Sequence, residues 1–277
     1  MTTVTHRLRR AWPRLLLGAL ALPTIAWSAA TAALWWRQEA LLFHPEPLPA
    51  GATLATAPDV HERVVDVPGA RLSLLELRLP EPRGVVFFLH GNAGNLRTWF
   101  VNTDFYRRAG YDLVMPDYRG FGKSTGHIES EAQLHADVLA VWRDIAPRYA
   151  GRRVVVYGRS LGTGLAAELA AALQPDLTVL VSPYASIAGL AQEHYPWLPA
   201  QVVRYPLRTD LAVARIHGPL LLVHGEQDDV IAFTESAKLQ HLAPQSRLVG
   251  IAGAGHNDVH RFQAYQQTMA DALAALR

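Results

Sequence analysis

The chain of 277 residues contains no cysteine, and only two of its 26 basic residues, Lys123 and Lys238, are lysines. Without cysteine there is no disulfide framework, no thiol nucleophile and no thiolate ligand for a metal ion. We attribute the scarcity of lysine to codon usage rather than to chemistry. No internal repeat is visible either, which argues against a repeat architecture.

Positive charge is also missing from most of the chain. The net charge of the whole sequence is +2 at neutral pH. Five arginines and no acidic residue lie within residues 1–37, so the rest of the chain is net negative. A basic surface for nucleic acid is therefore absent, and the sequence predicts no nucleic-acid partner.

What the sequence does contain is a serine between two glycines at the end of an apolar run. The β-branched residues 154–156 lead into Gly158, Ser160 and Gly162, and an alanine- and leucine-rich helical pattern follows at once. This order predicts a strand, a sharp turn and a helix, with glycines where a Cβ would collide with the neighbouring strand and helix. The helix N-terminus adds free N–H groups that suit an oxyanion. Ser160 is the predicted nucleophile.

The same spacing occurs a second time, around Ser124. Residues 116–121 before it are polar and glycine-rich, and no apolar helical pattern follows it. A phosphate-binding loop at Lys123 and Ser124 would need a glycine where Asp117 stands. The context therefore rejects Ser124 as a nucleophile and the segment as a phosphate site.

A serine hydroxyl needs a base, and the base needs a carboxylate that orients it. In folds with this type of turn the chain order is serine, acid, histidine. Residues 219–223 form an apolar run that leads to two adjacent acids, Asp228 and Asp229. Only one of them can face the histidine, and the residues themselves do not choose between them.

His256 is the predicted base, because it lies in a glycine-rich loop after the last predicted strand and follows both the serine and the acids. His260 lies four residues further on, as in a zinc-binding helix. The residue after His256 is Asn257, where a metalloprotease has glutamate, and no other cluster has ligand spacing. The sequence therefore predicts no metal and no organic cofactor.

The fourth predicted part is a site for the oxyanion. Residues 84–89 read as a buried strand that ends in a loop of small residues starting at His90. The backbone N–H groups of Asn92 in this loop and of Leu161 after the nucleophile are the predicted donors, and His90 is expected to bond within the loop. Loss of one such donor typically raises the barrier by about 3–4 kcal/mol.

Together these segments resemble the α/β-hydrolase superfamily, and most of all a membrane-anchored branch of serine hydrolases that includes protein depalmitoylases and serine-aminopeptidase-like hydrolases. The resemblance covers about residues 61–277, with motifs in the family's order. The matching motifs lie at residues 89–95, 117–124, 158–162, 224–228 and 255–258. The resemblance implies Asp228 rather than Asp229 as the acid. It also implies that residues 117–124 shape the site without reacting.

The resemblance implies acyl transfer to water but leaves the substrate open, because the family acts on many substrates. We expect cleavage of carboxylic esters or thioesters, with a small acyl ester, a lipid or a lipidated molecule as substrate. A serine peptidase of the aminopeptidase type or a lipid acyltransferase would use the same three residues. A non-catalytic, membrane-tethered binding module would keep the fold without reacting.

The N-terminal residues differ in kind from the rest. A basic tail at 1–14 precedes the uncharged residues 15–36, about the length that spans a bilayer. The arginines before this segment predict a single-pass membrane protein with a cytoplasmic N-terminus and a periplasmic or extracytoplasmic catalytic domain. A cleaved signal peptide is the alternative, since small residues at 28–33 offer a cleavage site. A leucine and two tryptophans directly after that site favour a retained anchor.

The rest of the chain divides into a proline-rich spacer at 37–60, expected to extend stiffly from the membrane, and an α/β-hydrolase domain at 61–277. Alternating strand and helix patterns predict a mostly parallel sheet with helices on both faces. An aromatic and proline-rich stretch interrupts this alternation, and we expect residues 183–217 to form a small lid over the nucleophile. The alternative is a packed excursion without substrate contact. Further predictions are an edge hairpin at 64–79 and helices at 96–109 and 130–149.

Overall fold

The structure, a computed structural model, describes residues 4–276, and the side chains of residues 21–276. The strands are β1 His44–Pro45, β2 Val60–Val67, β3 Ala70–Leu77, β4 Gly84–Leu89, β5 Ala93–Gly94, β6 Tyr111–Pro116, β7 Arg153–Arg159, β8 Leu177–Val181, β9 Leu220–Gly225 and β10 Arg247–Ile251. The α-helices are α1 Val4–Leu42, α2 Leu96–Trp99, α3 Thr103–Ala109, α4 Glu131–Ile145, α5 Gly162–Leu173, α6 Ile187–His194, α7 Thr209–Val213, α8 Phe233–Leu242 and α9 Gln263–Ala275. Short 3₁₀ turns occur at Ala146–Tyr149, Ala200–Val202 and Val259–Arg261.

Eight of the strands form one twisted sheet in the order β10-β9-β8-β7-β4-β6-β3-β2. Strand β3 is antiparallel to both of its neighbours, and the other pairs in this sheet are parallel. Strands β2 and β3 form the predicted hairpin at the sheet edge. The predicted mostly parallel sheet is confirmed, and it brings the carboxyl ends of β4, β7, β9 and β10 to the same edge, where ligands of α/β sheets bind.

The sheet separates two apolar core layers, because successive side chains of a strand point to opposite faces. In β4, Val85 and Phe87 pack with α4, α5, α7 and α8, whereas Val86 and Phe88 pack with α2, α3 and α9. All four of these side chains are at most 9% exposed. Helices therefore cover both faces, as the alternation of patterns predicts.

Two predicted helices are shorter in the structure than in the prediction. The helix expected at 96–109 is two helices, α2 and α3, separated at Asn102, whose φ of 57° is left-handed and ends any regular helix. The helix expected at 130–149 ends at Ile145, and a 3₁₀ turn containing Pro147 completes the segment. Proline removes a backbone donor, which accounts for the change of helix type.

The segment between β8 and β9 carries α6, a 3₁₀ turn and α7. We call residues 183–217 the insertion. Its buried residue Tyr184 donates its hydroxyl to the carbonyl of Leu161 at 2.9 Å. The insertion therefore lies beside the residue that follows the predicted nucleophile.

The spacer predicted to extend from the membrane instead packs on the domain. Strand β1 pairs with β5 in parallel. Leu48 donates its N–H to Gly122 O at 2.7 Å, and Phe43 and Leu54 are only 5% and 6% exposed. Apolar side chains at 43 and 54 make this packing favourable, since their burial removes hydrocarbon from water.

Helix α1 runs without interruption into the domain. Among the residues whose side chains are described, no helix is both long enough and apolar enough to cross a membrane. The side chains of residues 1–20, and with them the predicted basic tail and the first part of the predicted anchor, lie outside this description. The anchor at 15–36 therefore stays a prediction.

Candidate active site

Ser160 occupies the sharp turn between β7 and α5. Its φ is +50°, a left-handed conformation that residues other than glycine rarely adopt. The turn is held on both sides, because Ser160 donates its N–H to Val181 O and its carbonyl accepts the N–H of Thr163, both at 2.9 Å. The strain is thus maintained by the neighbouring strand and by the first turn of α5.

The two flanking glycines are needed for close backbone approach. A Cβ at Gly158 would lie 2.6 Å from the carbonyl oxygen of Gly162, and a Cβ at Gly162 would lie 2.2 Å from that of Leu89. These are the predicted collisions with the helix and the neighbouring strand. Because glycine has no Cβ, α5 can begin directly beside the end of β4.

The three predicted reactive side chains meet at the carboxyl edge of the sheet. Ser160 Oγ lies 3.0 Å from His256 Nε2, and His256 Nδ1 lies 2.8 Å from Asp228 Oδ2. Asp228 follows β9, and His256 follows β10. The distances form a continuous hydrogen-bonded chain from hydroxyl to imidazole to carboxylate, the arrangement that activates a serine.

Asp228 is held as an anion by its surroundings. The N–H groups of Val230 and Ile231 donate to Oδ1 at 3.0 and 2.8 Å, and His224 Nε2 lies 3.2 Å from Oδ2. Burial alone would raise the pKa of Asp228, but the hydrogen bonds from His224, His256 and Ile231 outweigh it and hold this pKa well below its ordinary value. The carboxylate can therefore orient the imidazole and stabilise an imidazolium.

The alternative candidates from the sequence lie outside this hydrogen-bonded chain. Asp229 is exposed. Ser124 is buried, and its Oγ donates to Asp117 O and accepts from Ser73 N, both at 2.8 Å. His260 lies on a 3₁₀ turn, and no group of three metal-ligating side chains occurs among the residues that the structure describes.

The loop after β4 lies against the serine. A Cβ on Gly91 would be 3.7 Å from that of Ser160. The backbone N–H groups of Asn92 and Leu161 have no intramolecular partner among the described residues, and both residues line the same cavity as the serine. Two free N–H groups beside a serine are what a developing oxyanion requires.

His90 stays within the loop, as expected. Its Nδ1 lies 2.7 Å from Gly91 O, its Nε2 lies 3.3 Å from Asp117 Oδ1, and the Tyr118 hydroxyl donates to its carbonyl at 2.8 Å. His90 and Asp117 are both fully buried. Residues 117–124 therefore contact His90 and support the loop that follows β4.

A cavity of about 620 Å³ opens at Ser160. Its described wall combines three parts of the chain: the loops that follow β4, β7, β9 and β10, the insertion, and the last turns of α1. From the insertion and α1 the lining includes Leu190, Ala191, Leu198, Leu34 and Leu41. The volume is in the range of small-molecule sites, and the lining away from the serine is mostly apolar, with Gln38 and His194 as polar members.

Three features of the site were missed by the sequence reasoning. His224 supports the acid from four residues upstream, a spacing that was visible in the sequence. Arg159 is buried beside the nucleophile and donates to the carbonyl of His256. The part played by α1 has no local signal, because the partners of Gln38 in the insertion are more than 160 residues away in the chain.

The fold and this site together define a serine hydrolase of the α/β type. The chain belongs to the α/β-hydrolase superfamily. Residues 80–209 match the family model described as serine aminopeptidase, S33.

Among its relatives, an uncharacterised protein of Mycobacterium tuberculosis is 31% identical over 254 residues, which cover 86% of this chain and 89% of that protein. The chain is also similar to alpha/beta hydrolase domain-containing protein 17B of Xenopus laevis, with 29% identity covering 74% of this chain and 72% of that one. A Pyrococcus furiosus esterase has the same fold, with a TM-score of 0.67 and 17% identity over 85% of this chain and 98% of the esterase.

Proposed function

We propose that the protein is a membrane-anchored serine hydrolase that cleaves carboxylic esters or thioesters through an acyl-enzyme intermediate. The observation that carries the proposal is the chain of contacts from Ser160 to His256 to Asp228, at 3.0 and 2.8 Å, beside two unpartnered N–H groups. Neither step of the reaction needs a metal or an organic cofactor.

In the first step, His256 Nε2 accepts the proton of Ser160 as Oγ attacks the substrate carbonyl carbon. The imidazolium is stabilised by Asp228, which accepts the hydrogen bond from Nδ1. The carbonyl oxygen becomes an oxyanion and accepts hydrogen bonds from the N–H groups of Asn92 and Leu161. Nε2–H then protonates the leaving alcohol or thiol, and the acyl group remains on Ser160.

In the second step, water replaces the leaving group. His256 accepts a proton from the water, whose oxygen attacks the acyl carbon. The same N–H groups hold the second oxyanion, and its collapse releases the carboxylic acid and restores the serine hydroxyl.

The cavity lining favours esters over aminopeptidase substrates. An aminopeptidase has to hold the free ammonium group of its substrate, which calls for a carboxylate near the serine. No aspartate or glutamate is among the described residues that line the cavity. A neutral ester or thioester with an apolar acyl group matches this lining better. Comparison of an ester with an aminoacyl amide of similar leaving group tests this choice, and faster amide cleavage would contradict it.

Membrane anchoring through residues 15–36 is part of the proposal. Leu22, Ile25 and Trp36 on α1 are 73%, 64% and 77% exposed, so this face of the helix has no cover among the described residues. Large exposed apolar side chains in a row are typical of a surface that meets lipid. Retention of the protein in membranes after alkaline carbonate washing, with the intact N-terminus detected by mass spectrometry, tests anchoring against a cleaved signal peptide.

The reaction itself is tested by replacing the nucleophile. Ser160→Ala should abolish labelling by a fluorophosphonate and lower ester hydrolysis by at least about 10³-fold. Ser124→Ala, in the second glycine-serine-glycine segment, is the matched control and should label like the wild type. Undiminished hydrolysis in Ser160→Ala would overturn the proposal.

A further inference from the structure

One face of α1 is part of the catalytic domain. Thr31, Leu34, Gln38, Glu39 and Leu42 are less exposed than the other residues of 31–42, and their spacing places them on one side of the helix. Gln38 is bonded in both directions, because its Nε2 donates to Val202 O at 2.8 Å and its Oε1 accepts the N–H of Arg204 at 2.7 Å. The insertion therefore holds the end of α1 by backbone contacts.

Side chains next to Gln38 extend this contact. Glu39 accepts a hydrogen bond from the Tyr205 hydroxyl at 2.8 Å and pairs with Arg204. The guanidinium of Arg204 lies 5.0 Å from the centre of the Trp35 ring, within the range of a cation–π interaction. A charge pair and an aromatic contact on adjacent turns fix the rotation of the helix, so the same face is always turned to the cavity.

The cavity follows this face of the helix. Leu42 lies next to the loop after β4 that carries a predicted oxyanion donor, since Asn92 Nδ2 donates to the carbonyl of Leu42 at 3.1 Å. Leu34 lines the same cavity eight residues earlier, about 12 Å along a helix with a rise of 1.5 Å per residue. The cavity thus runs from the serine along the last two turns of α1, with the insertion opposite.

The cavity reaches exposed aromatic surface through Tyr195, which lines it and whose ring packs edge-on against that of Trp197. Trp27 on α1 and Tyr195 and Trp197 on the insertion are 44%, 46% and 44% exposed, and we call these three residues the entry face. Trp27 Nε1 donates to Trp197 O at 3.1 Å, which joins the helix to the insertion. Trp27 lies nine residues before Trp36, about 13 Å nearer the bilayer centre if residues 15–36 span it. The entry face would then be in lipid.

We propose that the cavity is filled from the membrane, with α1 as its acyl-binding wall. The acyl chain of an ester or thioester held in the outer leaflet enters at the entry face, lies along Leu34, Leu41 and Leu42, and places its carbonyl at Ser160. The chain then passes from one apolar medium to another without crossing water. This inference rests on the proposed hydrolase function and adds where the substrate comes from and which residues select it.

The wall is tested with two substitutions on neighbouring residues of α1. Leu34→Trp fills the cavity, whereas Ala33→Trp adds the same ring on an exposed position outside it. With full-length protein in detergent, Leu34→Trp should lower kcat/KM for p-nitrophenyl palmitate at least tenfold more than for p-nitrophenyl butyrate. Ala33→Trp should leave the ratio within about twofold of wild type. An unchanged ratio in Leu34→Trp would overturn the assignment of the wall.

Entry from the bilayer is tested by placing a charge on the entry face. In phosphatidylcholine vesicles that contain the full-length protein, Trp197→Asp should lower hydrolysis of vesicle-embedded p-nitrophenyl palmitate at least tenfold relative to aqueous butyrate. Leu242→Asp, at a residue that is also 44% exposed but on α8, is the control and should leave this ratio unchanged. Tyr195→Asp repeats the test if Trp197→Asp lowers the melting temperature.

The outcomes separate this inference from the proposed function. A wild-type protein that cleaves neither substrate refutes the hydrolase itself. A wild-type protein that cleaves both, together with Trp197→Asp and Tyr195→Asp variants whose ratios match that of Leu242→Asp, refutes only entry from the membrane.

Discussion

The chain carries two glycine-x-serine-x-glycine segments, and the structure uses them in opposite ways. Ser160 has a φ of +50° and a hydroxyl 3.0 Å from an imidazole nitrogen. Ser124 has its hydroxyl proton directed to Asp117 O and its oxygen bonded to the N–H of Ser73, both at 2.8 Å. The spacing specifies a tight turn in both places. Whether the hydroxyl has a free proton and a base beside it decides whether the turn can react.

The largest effect is expected at Asp228, the carboxylate that supports the base beside Ser160. Asp228→Asn should lower kcat by about 10⁴-fold, because the amide cannot hold the required tautomer of His256 or stabilise its cation. Asp229→Asn, one residue further and exposed, should stay within about twofold of wild type. Steady-state ester hydrolysis measures both, and equal losses would mean that the acid has been misassigned.

The same carboxylate predicts a pH dependence. The folded pKa of Asp228 is below its ordinary value, because the hydrogen bonds that it accepts outweigh the effect of burial. The ionised group therefore stabilises the fold above about pH 4, and this contribution is lost as pH falls through the folded pKa. The melting temperature of wild type should fall more steeply below pH 4 than that of Asp228→Asn. Above pH 4 Asp228 should add no proton to the acid limb of kcat/KM, and a two-proton limb would contradict an ionised Asp228.

The final glycines of the two segments give the next largest difference. Gly162→Ala places a Cβ 2.2 Å from Leu89 O and 2.5 Å from His90 O, backbone atoms that have no room to move. We expect a loss of about 3 kcal/mol or more, or about 6–12 °C in melting temperature. In Gly126→Ala the nearest atom to the new Cβ is the Cβ of Ala70, at 3.0 Å, and the φ of +74° is strained for alanine, so about 1–2 kcal/mol is expected. Equal melting temperatures for the two variants would refute the close packing at Gly162.

How much of this was predictable depends on how local the signal is. The turn at Ser160, the strand before it and the position of His256 follow from patterns of a few residues, whereas the choice of Asp228 over Asp229 came from the family resemblance. The structure brings the three side chains together. The separation of α2 and α3 at Asn102 could not be predicted from the sequence, because asparagine in a helical pattern gives only a weak preference against the helix. The packing of the spacer and of α1 depends on partners far away in the chain, such as Val202 for Gln38, and no local pattern encodes them.

The smallest expected effect is also the most direct test of the contrast between the two serines. At Ser160 an alanine keeps the left-handed strain and a glycine relieves it, so Ser160→Gly should be more stable than Ser160→Ala by about 1 kcal/mol. Ser124 is not among the left-handed residues. There the greater freedom of glycine in the unfolded chain dominates, and Ser124→Gly should be less stable than Ser124→Ala by about 0.5–1 kcal/mol. Melting temperatures of the four variants in detergent measure both differences. Opposite signs at the two serines follow from backbone strain at Ser160 alone, and the same sign at both would show that Ser160 is not held in a strained turn.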